Sequence, residues 1–266
     1  MSDFYLLGNS SHTQMFGCVI KTANFTIVID GGTPNDDDQL IELLNEISNS
    51  HVDAWFFTHP HHDHIGCFVN ILKSKTFITI DKIYHHFPDT KQLQQHLRTQ
   101  EETLIYDFEK HIKAQNVHII SANETIDFDD VSFKVVRVFN PSITNNFINN
   151  SSSVFRIDGK HSSFLILGDL GVEGGNDLIA KCPLSLLTTD YTQMAHHGQN
   201  GVSKKFYDYI KPKKCIWPTP EWLWNNDAGE GYNTGPWKTV ETREWMSLIG
   251  VTEHVIAKDG IQKIFF

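Results

Sequence analysis

Residues 52–57, Val52-Asp53-Ala54-Trp55-Phe56-Phe57, form an apolar run of strand length that leads directly into Thr58-His59-Pro60-His61-His62-Asp63-His64-Ile65-Gly66. Within six residues this stretch offers His59, His61, Asp63 and His64, a dense set of borderline-to-hard metal ligands. Strand, ligand loop and then a helix over about 65–73 is the order in which α/β scaffolds carry their sites, so this segment constrains both fold class and chemistry. His59 and His61 are two apart and can converge on one ion if the loop is extended. Asp63 and His64 are adjacent and point elsewhere, towards a second ion.

The flanking sequence repeats a strand-and-helix pattern in two halves. Residues 3–8, 15–22 and 25–30 read as strands, closed by the turn Asp30-Gly31-Gly32-Thr33-Pro34. Asp36, Asp37 and Asp38 then open an amphipathic helix, acidic where the helix dipole favours it. Residues 77–80 and 82–84 read as strands and 89–114 as one long helix. In the second half strands are expected over 117–120, 124–128, 131–139, 152–158, 163–169, 184–190, 213–217, 252–257 and 261–266. Helices are expected near 174–181, 201–210 and 237–249, and 218–236 reads as a long ordered loop. No Pro/Ser linker or charge run separates the halves, so one domain over residues 1–266 is expected.

Composition narrows the class. The chain has 266 residues, 40% hydrophobic and 20% charged, enough for a sizeable core without staples. A formal charge of −10 argues against nucleic acid as a generic partner, which would need basic patches. A small anionic substrate remains compatible, because a bound divalent ion inverts the local field. Cys18, Cys67, Cys182 and Cys215 are scattered without a C-x-x-C pair and read as reduced, mostly buried thiols. No signal-like N-terminus or membrane-length apolar run is visible, so the expectation is a cytoplasmic protein with no membrane partner.

Further ligands lie in suitable places. Asp169 follows the apolar strand Phe164 to Leu167 in the turn Gly168-Asp169-Leu170, where a carboxylate can bridge two ions. Met194-Ala195-His196-His197-Gly198 is a second His-rich loop before a helix. One of its histidines suits a metal; His196 is assigned that part, and His197 is assigned to a developing charge or leaving group. His85, His86 and His12 are weaker pocket candidates. Trp217, Trp222, Trp224 and Trp237 flank or occupy the 218–236 loop and suggest an aromatic wall for a base, sugar or choline-like cation.

The sequence resembles the metallo-β-lactamase-fold hydrolases. His59, His61, Asp63 and His64 match that superfamily's signature and Asp169 its bridging aspartate. More narrowly, Asp30-Gly31-Gly32, Asn149-Asn150-Ser151-Ser152, Gly168-Asp169 and His196-His197-Gly198 resemble the hydrolase domain of competence-type DNA-uptake proteins and phosphorylcholine esterases. The resemblance implies a four-layer αβ/βα sandwich and two divalent ions, zinc in first place with manganese or iron as alternatives. It also implies hydrolysis of a phosphodiester or phosphocholine-like ester by a metal-held hydroxide, which Asp63 or Asp169 would orient. The alternatives are a lactonase or thioesterase on the same site, and a non-hydrolytic metal-binding module. Two departures stand out: Asn149 and Asn150 occupy the region of a further histidine, and Tyr232 to Pro236 lacks a late one, leaving His254 as the late candidate.

Overall fold

The apolar runs pair into two seven-stranded sheets of matching design. The computed structural model describes residues 2–74, 77–96 and 99–266. In spatial order the first sheet is Gln262–Phe265, Asp3–Leu6, Gly17–Lys21, Thr26–Asp30, Ala54–Phe56, Ile83–His85 and Val117–Ile119. The second is Glu253–Ile256, Lys214–Trp217, Tyr191–Gln193, Ser163–Ile166, Val154–Asp158, Val131–Arg137 and Thr125–Phe128. Each sheet is antiparallel over one half and parallel over the other.

Side-chain alternation explains the layering. Cys18, Ile20, Ile27, Ile29 and Phe56 face the second sheet, whereas Val19, Val28 and Trp55 face helices on the outside. Both faces are buried, which is why these strands read as continuous apolar runs rather than as polar/apolar alternation. Between the sheets Phe56 stacks on Tyr84 at 4.4 Å and on Phe133 at 4.7 Å. Helices Asp37–Ser48, His62–Ser74 and Thr99–Ile112 cover the first sheet. Val172–Lys181, Lys204–Ile210 and Thr239–Ile249 cover the second. The result is the expected four-layer αβ/βα sandwich. The last strand pairs with the first, and Phe266 meets Phe164 of the second sheet edge-on at 4.9 Å.

Several elements depart from expectation. The helix after the histidine loop begins at His62, so Asp63 and His64 lie in its first turn. The long helix expected over 89–114 is two among the described residues: Thr90–Gln94, opened by an Asp89/Gln92 capping box, and Thr99–Ile112. Residues 97–98 of that expectation lie outside the described residues. The strand expected over 184–190 is a single helical turn, Leu184–Leu187, with the strand displaced to Tyr191–Gln193. Pro183 fixes the entry to that turn, and Arg156 Nη1 collects the carbonyls of Ser185 and Thr188 at 3.0 and 2.7 Å. The loop 218–236 contains a helical turn, Glu221–Trp224. The four cysteines are free, and three of them are buried. Among the described residues no helix is long and apolar enough to cross a membrane.

Candidate metal centre

The site sits at the carboxyl ends of parallel strands from both sheets, where α/β sheets present their ligands. In the first sheet, strand Ala54–Phe56 ends beside Asp30, and Thr58 N–H donates to Asp30 Oδ1 at 2.8 Å. In the second, strand Ser163–Ile166 ends at Gly168, whose φ of +56° turns the chain so that Asp169 faces inward. A side chain at Gly168 would meet Ser152 and Thr58 within 3 Å, so the two loops approach at backbone distance. They are joined by Ser153 N–H to Thr58 carbonyl at 2.9 Å and Asp169 N–H to Ser152 Oγ at 3.1 Å.

Two ligand groups result, and Asp169 belongs to both. One contains His59, His61 and Asp169; the other contains Asp63, His64, Asp169 and His197, with the ligand atoms of each group within 4.8 Å of one another. His64 Nε2 lies 3.1 Å from Asp169 Oδ1, and His197 Nε2 lies 3.1 Å from Asp63 Oδ2 and 3.4 Å from Asp169 Oδ2. His59 Nε2 is 3.0 Å from His61 Nδ1 and 3.7 Å from Asp169 Oδ2.

The imidazole tautomers follow from their outer partners. Thr58 Oγ1 gives its one hydrogen to Asp30 Oδ2 at 2.6 Å, so at 3.1 Å it accepts from His59 Nδ1 and leaves His59 Nε2 facing the site. His64 Nδ1 donates to Asp30 Oδ2 at 2.7 Å, and His197 Nδ1 donates to the Pro218 carbonyl at 2.9 Å. Histidines whose outer nitrogen is held by a carboxylate or a carbonyl are arranged as metal ligands are. Inside the site, His64 Nε2, His197 Nε2 and both carboxylate oxygens of Asp169 are buried without a hydrogen-bond partner. Four such orphaned atoms, all of ligand type, fit divalent cations shared across Asp169.

The electrostatics agree. Burial works against every charge here, yet Asp169 stays well below the usual carboxylate range because His64, His197 and His196 surround it. Burial likewise opposes ionisation of Asp63, but His197 Nε2, 3.1 Å away, and the charge of His64 hold its carboxyl far down. His197 would be lowered by burial alone; Asp169 and Asp63 push it up to about 10. His64 is raised in the same way by Asp169 and Asp30. His59 is lowered by burial and by its histidine neighbours, so it stays neutral. Without metal, protons on His64 and His197 balance the carboxylates.

The structure brings together His59, His61, Asp63, His64, Asp169 and His197, and it groups the adjacent histidines the other way round from the expectation. Fully buried His197, expected to assist the leaving group, lies within the second ligand group. His196, expected as a ligand, stands outside both groups, 18% exposed, with Nε2 3.8 Å from Asp169 Oδ2. Both have left-handed backbones, φ 53° and 56°, an uncommon conformation that sends successive imidazoles in different directions. Gly198 follows because a Cβ there would meet the Trp217 ring at 2.5 Å.

Other candidates have structural partners. Asn150 Oδ1 accepts the N–H groups of Gly171 and Gly174, both at 3.0 Å. His254 Nδ1 accepts from Trp217 Nε1 at 3.0 Å. His85 packs on Phe87 and Phe108 with its pKa lowered to about 4 by burial and by His86, which bonds the Ile120 carbonyl at 2.6 Å. Trp217 and Trp224 pack on each other, with Arg243 over Trp224. Trp222 meets Trp237 at 4.7 Å and donates to the His12 carbonyl. Sequence reasoning missed Asp30 and Thr58 as supports of the histidines. The usable signal was an aspartate closing an apolar strand whose parallel neighbour ends in the ligand loop.

The family profile of the metallo-β-lactamase superfamily matches residues 18–215, and the chain belongs to that superfamily. Its members are mostly metal-dependent hydrolases and typically bind two divalent ions. Solved structures of similar fold include the metallo-β-lactamase fold protein YhfI from Bacillus subtilis, at 13% identity and TM-score 0.59 over 99% of each chain. A diphosphatase of the PhnP family aligns at 16% identity and TM-score 0.56, covering 100% of this chain and 98% of that one. CmlA, a diiron β-hydroxylase from Streptomyces venezuelae, aligns at 10% identity and TM-score 0.58, covering 100% of this chain and 54% of that one. No curated protein sequence matches the chain.

Proposed function

We propose that the protein is a two-metal phosphoesterase acting on a phosphodiester or a phosphocholine-like ester. The observation that carries this reading is the pair of ligand groups that share Asp169, with its two oxygens and the facing imidazole nitrogens left without partners. His59, His61 and Asp169 would hold the first ion; Asp63, His64, Asp169 and His197 would hold the second. Divalent ions so placed supply Lewis acidity and a nucleophile at neutral pH, and two of them together suit in-line displacement at phosphorus.

The remaining steps fall to the chain's own groups. Asp63 and Asp169 are both held ionised and are the acceptors that can orient an incoming nucleophile. His196, partly exposed and 3.8 Å from Asp169, would give a proton to the departing oxygen, the part first assigned to His197. Similar folds serve a diphosphatase and a diiron hydroxylase, so the fold by itself does not choose the reaction. The choice of phosphorus rests on shared zinc-type His/carboxylate donors at two positions, and on the resemblance of Asp30-Gly31-Gly32 and His196-His197-Gly198 to phosphorylcholine esterases and competence-type hydrolases.

The test compares bis(p-nitrophenyl) phosphate and p-nitrophenyl phosphorylcholine with acyl lactones and thioesters, using protein reconstituted with zinc, manganese or iron. Phosphodiester turnover should disappear with chelator and return with metal. Asp169→Ala should remove both ions and lower kcat/KM by more than the 10–100-fold, as an order of magnitude, typical of an outer partner. Faster turnover of lactones or thioesters would move the reacting centre from phosphorus to a carbonyl carbon. A metal-loaded protein inert to the whole panel would overturn the enzymatic reading.

A further inference from the structure

His64 and His197 have outer partners built into the sheet ends, Asp30 and the Pro218 carbonyl, but Asp63 takes its partner from a distant loop. Gln14 Nε2 donates to Asp63 Oδ2 at 2.9 Å. Because a carboxylate can only accept, this contact fixes which end of the Gln14 amide faces Asp63. The other end, Gln14 Oε1, then accepts from Gln199 Nε2 at 2.9 Å. Gln199 is buried and follows directly on His196-His197-Gly198, with its N–H on the His196 carbonyl. The loop carrying Gln14 is anchored at one end by Phe16 N–H to the Asp63 carbonyl at 3.0 Å, and nearer its middle by Trp222 Nε1 to the His12 carbonyl at 2.9 Å.

We infer that Gln14 is a positioning residue for the second metal position, oriented in turn by Gln199. The inference rests on the two-metal reading above and adds a dependence that reading does not contain. Asp63 is the most exposed ligand of the second group, with 15% of its side chain accessible, and its oxygen is shared between His197 Nε2 and Gln14 Nε2. Without the Gln14 amide, Oδ2 loses the donor that holds it in line with His197, and the carboxylate can rotate about its side-chain torsions towards water. Gln14 holds Asp63, a ligand that belongs to the second group and not to the first. Occupancy of the two positions should therefore respond differently to this relay. The second position would be complete only when the 9–16 loop lies against the loop after His197.

Gln14→Met keeps the length of the side chain and removes the amide. Stepwise zinc affinity by competition with a chromophoric chelator should show one of the two equivalents loosened by about 10–100-fold, the range for outer partners of metal ligands, with the other unchanged. Gln199→Met should loosen the same equivalent less, and the double variant no more than Gln14→Met alone, because Gln199 acts through Gln14. kcat should fall with the occupancy of the loosened equivalent and recover at high zinc, while KM stays near the original value. Unchanged stepwise affinities in Gln14→Met would overturn the inference and leave the two-metal reading intact. Equal loosening of both equivalents together with a lower Tm would mean a merely structural loop contact and would also overturn it. Additive losses in the double variant would remove the relay. If the unaltered protein binds one equivalent only, the two-metal reading itself fails, and the inference falls with it.

Discussion

Asp30 shows how much one backbone angle contributes to this site. Its left-handed φ of 55° turns a strand-terminal carboxylate back against His64, where it also takes hydrogen bonds from Thr58 N–H and Oγ1. Asp30→Asn keeps the shape but presents an amide that can donate to His64 Nδ1 and so favour the wrong tautomer. Metal affinity should fall by about 10–100-fold in a chelator titration, with little change in the far-ultraviolet spectrum. The proton inventory gives a second prediction. A histidine raised to about 10, such as His197, stabilises the metal-free fold fully below its unfolded value near 6.5 and ceases to do so as pH rises through 10. Asp63 and Asp169, held low, contribute above an unfolded value of about 3.9 and lose that contribution as pH falls towards their folded values. His59, lowered and neutral, has the opposite sign to His197 and releases no proton. The Tm of metal-free protein should therefore decline between pH values of about 7 and 10. Zinc uptake near pH 7 should release protons from His64 and His197, read as a dependence of calorimetric heat on buffer ionisation enthalpy.

At the scale of elements, the helix Val172–Lys181 owes its start to a residue far away in sequence. No side chain caps it locally at Gly171; Asn150 Oδ1 takes the Gly171 and Gly174 N–H groups, and Asn150 Nδ2 reaches the Asn145 carbonyl and Glu173. Arg137 holds the other side of this loop through the carbonyls of Ser152 and Asn150. Asn150 thus positions the turn that carries Asp169 without being a ligand. Asn150→Ala leaves two buried donors unmet and should lower stability by about 1–3 kcal/mol in urea unfolding. Because Asp169 lies two residues before Gly171, both metal equivalents should weaken together, unlike the selective loss expected for Gln14→Met.

Across the whole molecule, the C-terminal strand closes the first sheet against the N-terminal one, while Phe266 is fully buried against the second sheet. Removing residues 262–266 would uncover the edge of Asp3–Leu6 and part of the core between the sheets. Such a truncation should aggregate or unfold well below the Tm of the full chain, measured by light scattering and calorimetry. The same arrangement makes the metal centre a joint product of both sheets: His59, His61, Asp63 and His64 leave one, Asp169 and His197 the other.

Local chemistry made much of this readable in advance. The motif around His59 to His64, the aspartate at the end of an apolar strand and the paired histidines are dense groups of ligand-type residues at strand ends, and they named the six residues now found together, five of them as ligands and His197 in another part. The continuous apolar strands and acidic helix starts gave the layered architecture, since burial on two faces and helix dipoles leave marks within a few residues. Short-range pattern did not separate His196 from His197, because two left-handed residues decide where each imbalance of direction falls and nothing in their identity reports a backbone angle. Nor did it assign Asn150 to a helix start, His254 to Trp217, or Gln14 to Asp63 across a separation of 49 residues. A hydrogen bond between distant segments is fixed by the approach of their backbones, and that approach exists only once the two sheets have packed. The sequence by itself determined which ligand chemistry was present and on which kind of scaffold; the tertiary structure alone decided which atoms face the ions and which hold the others in place.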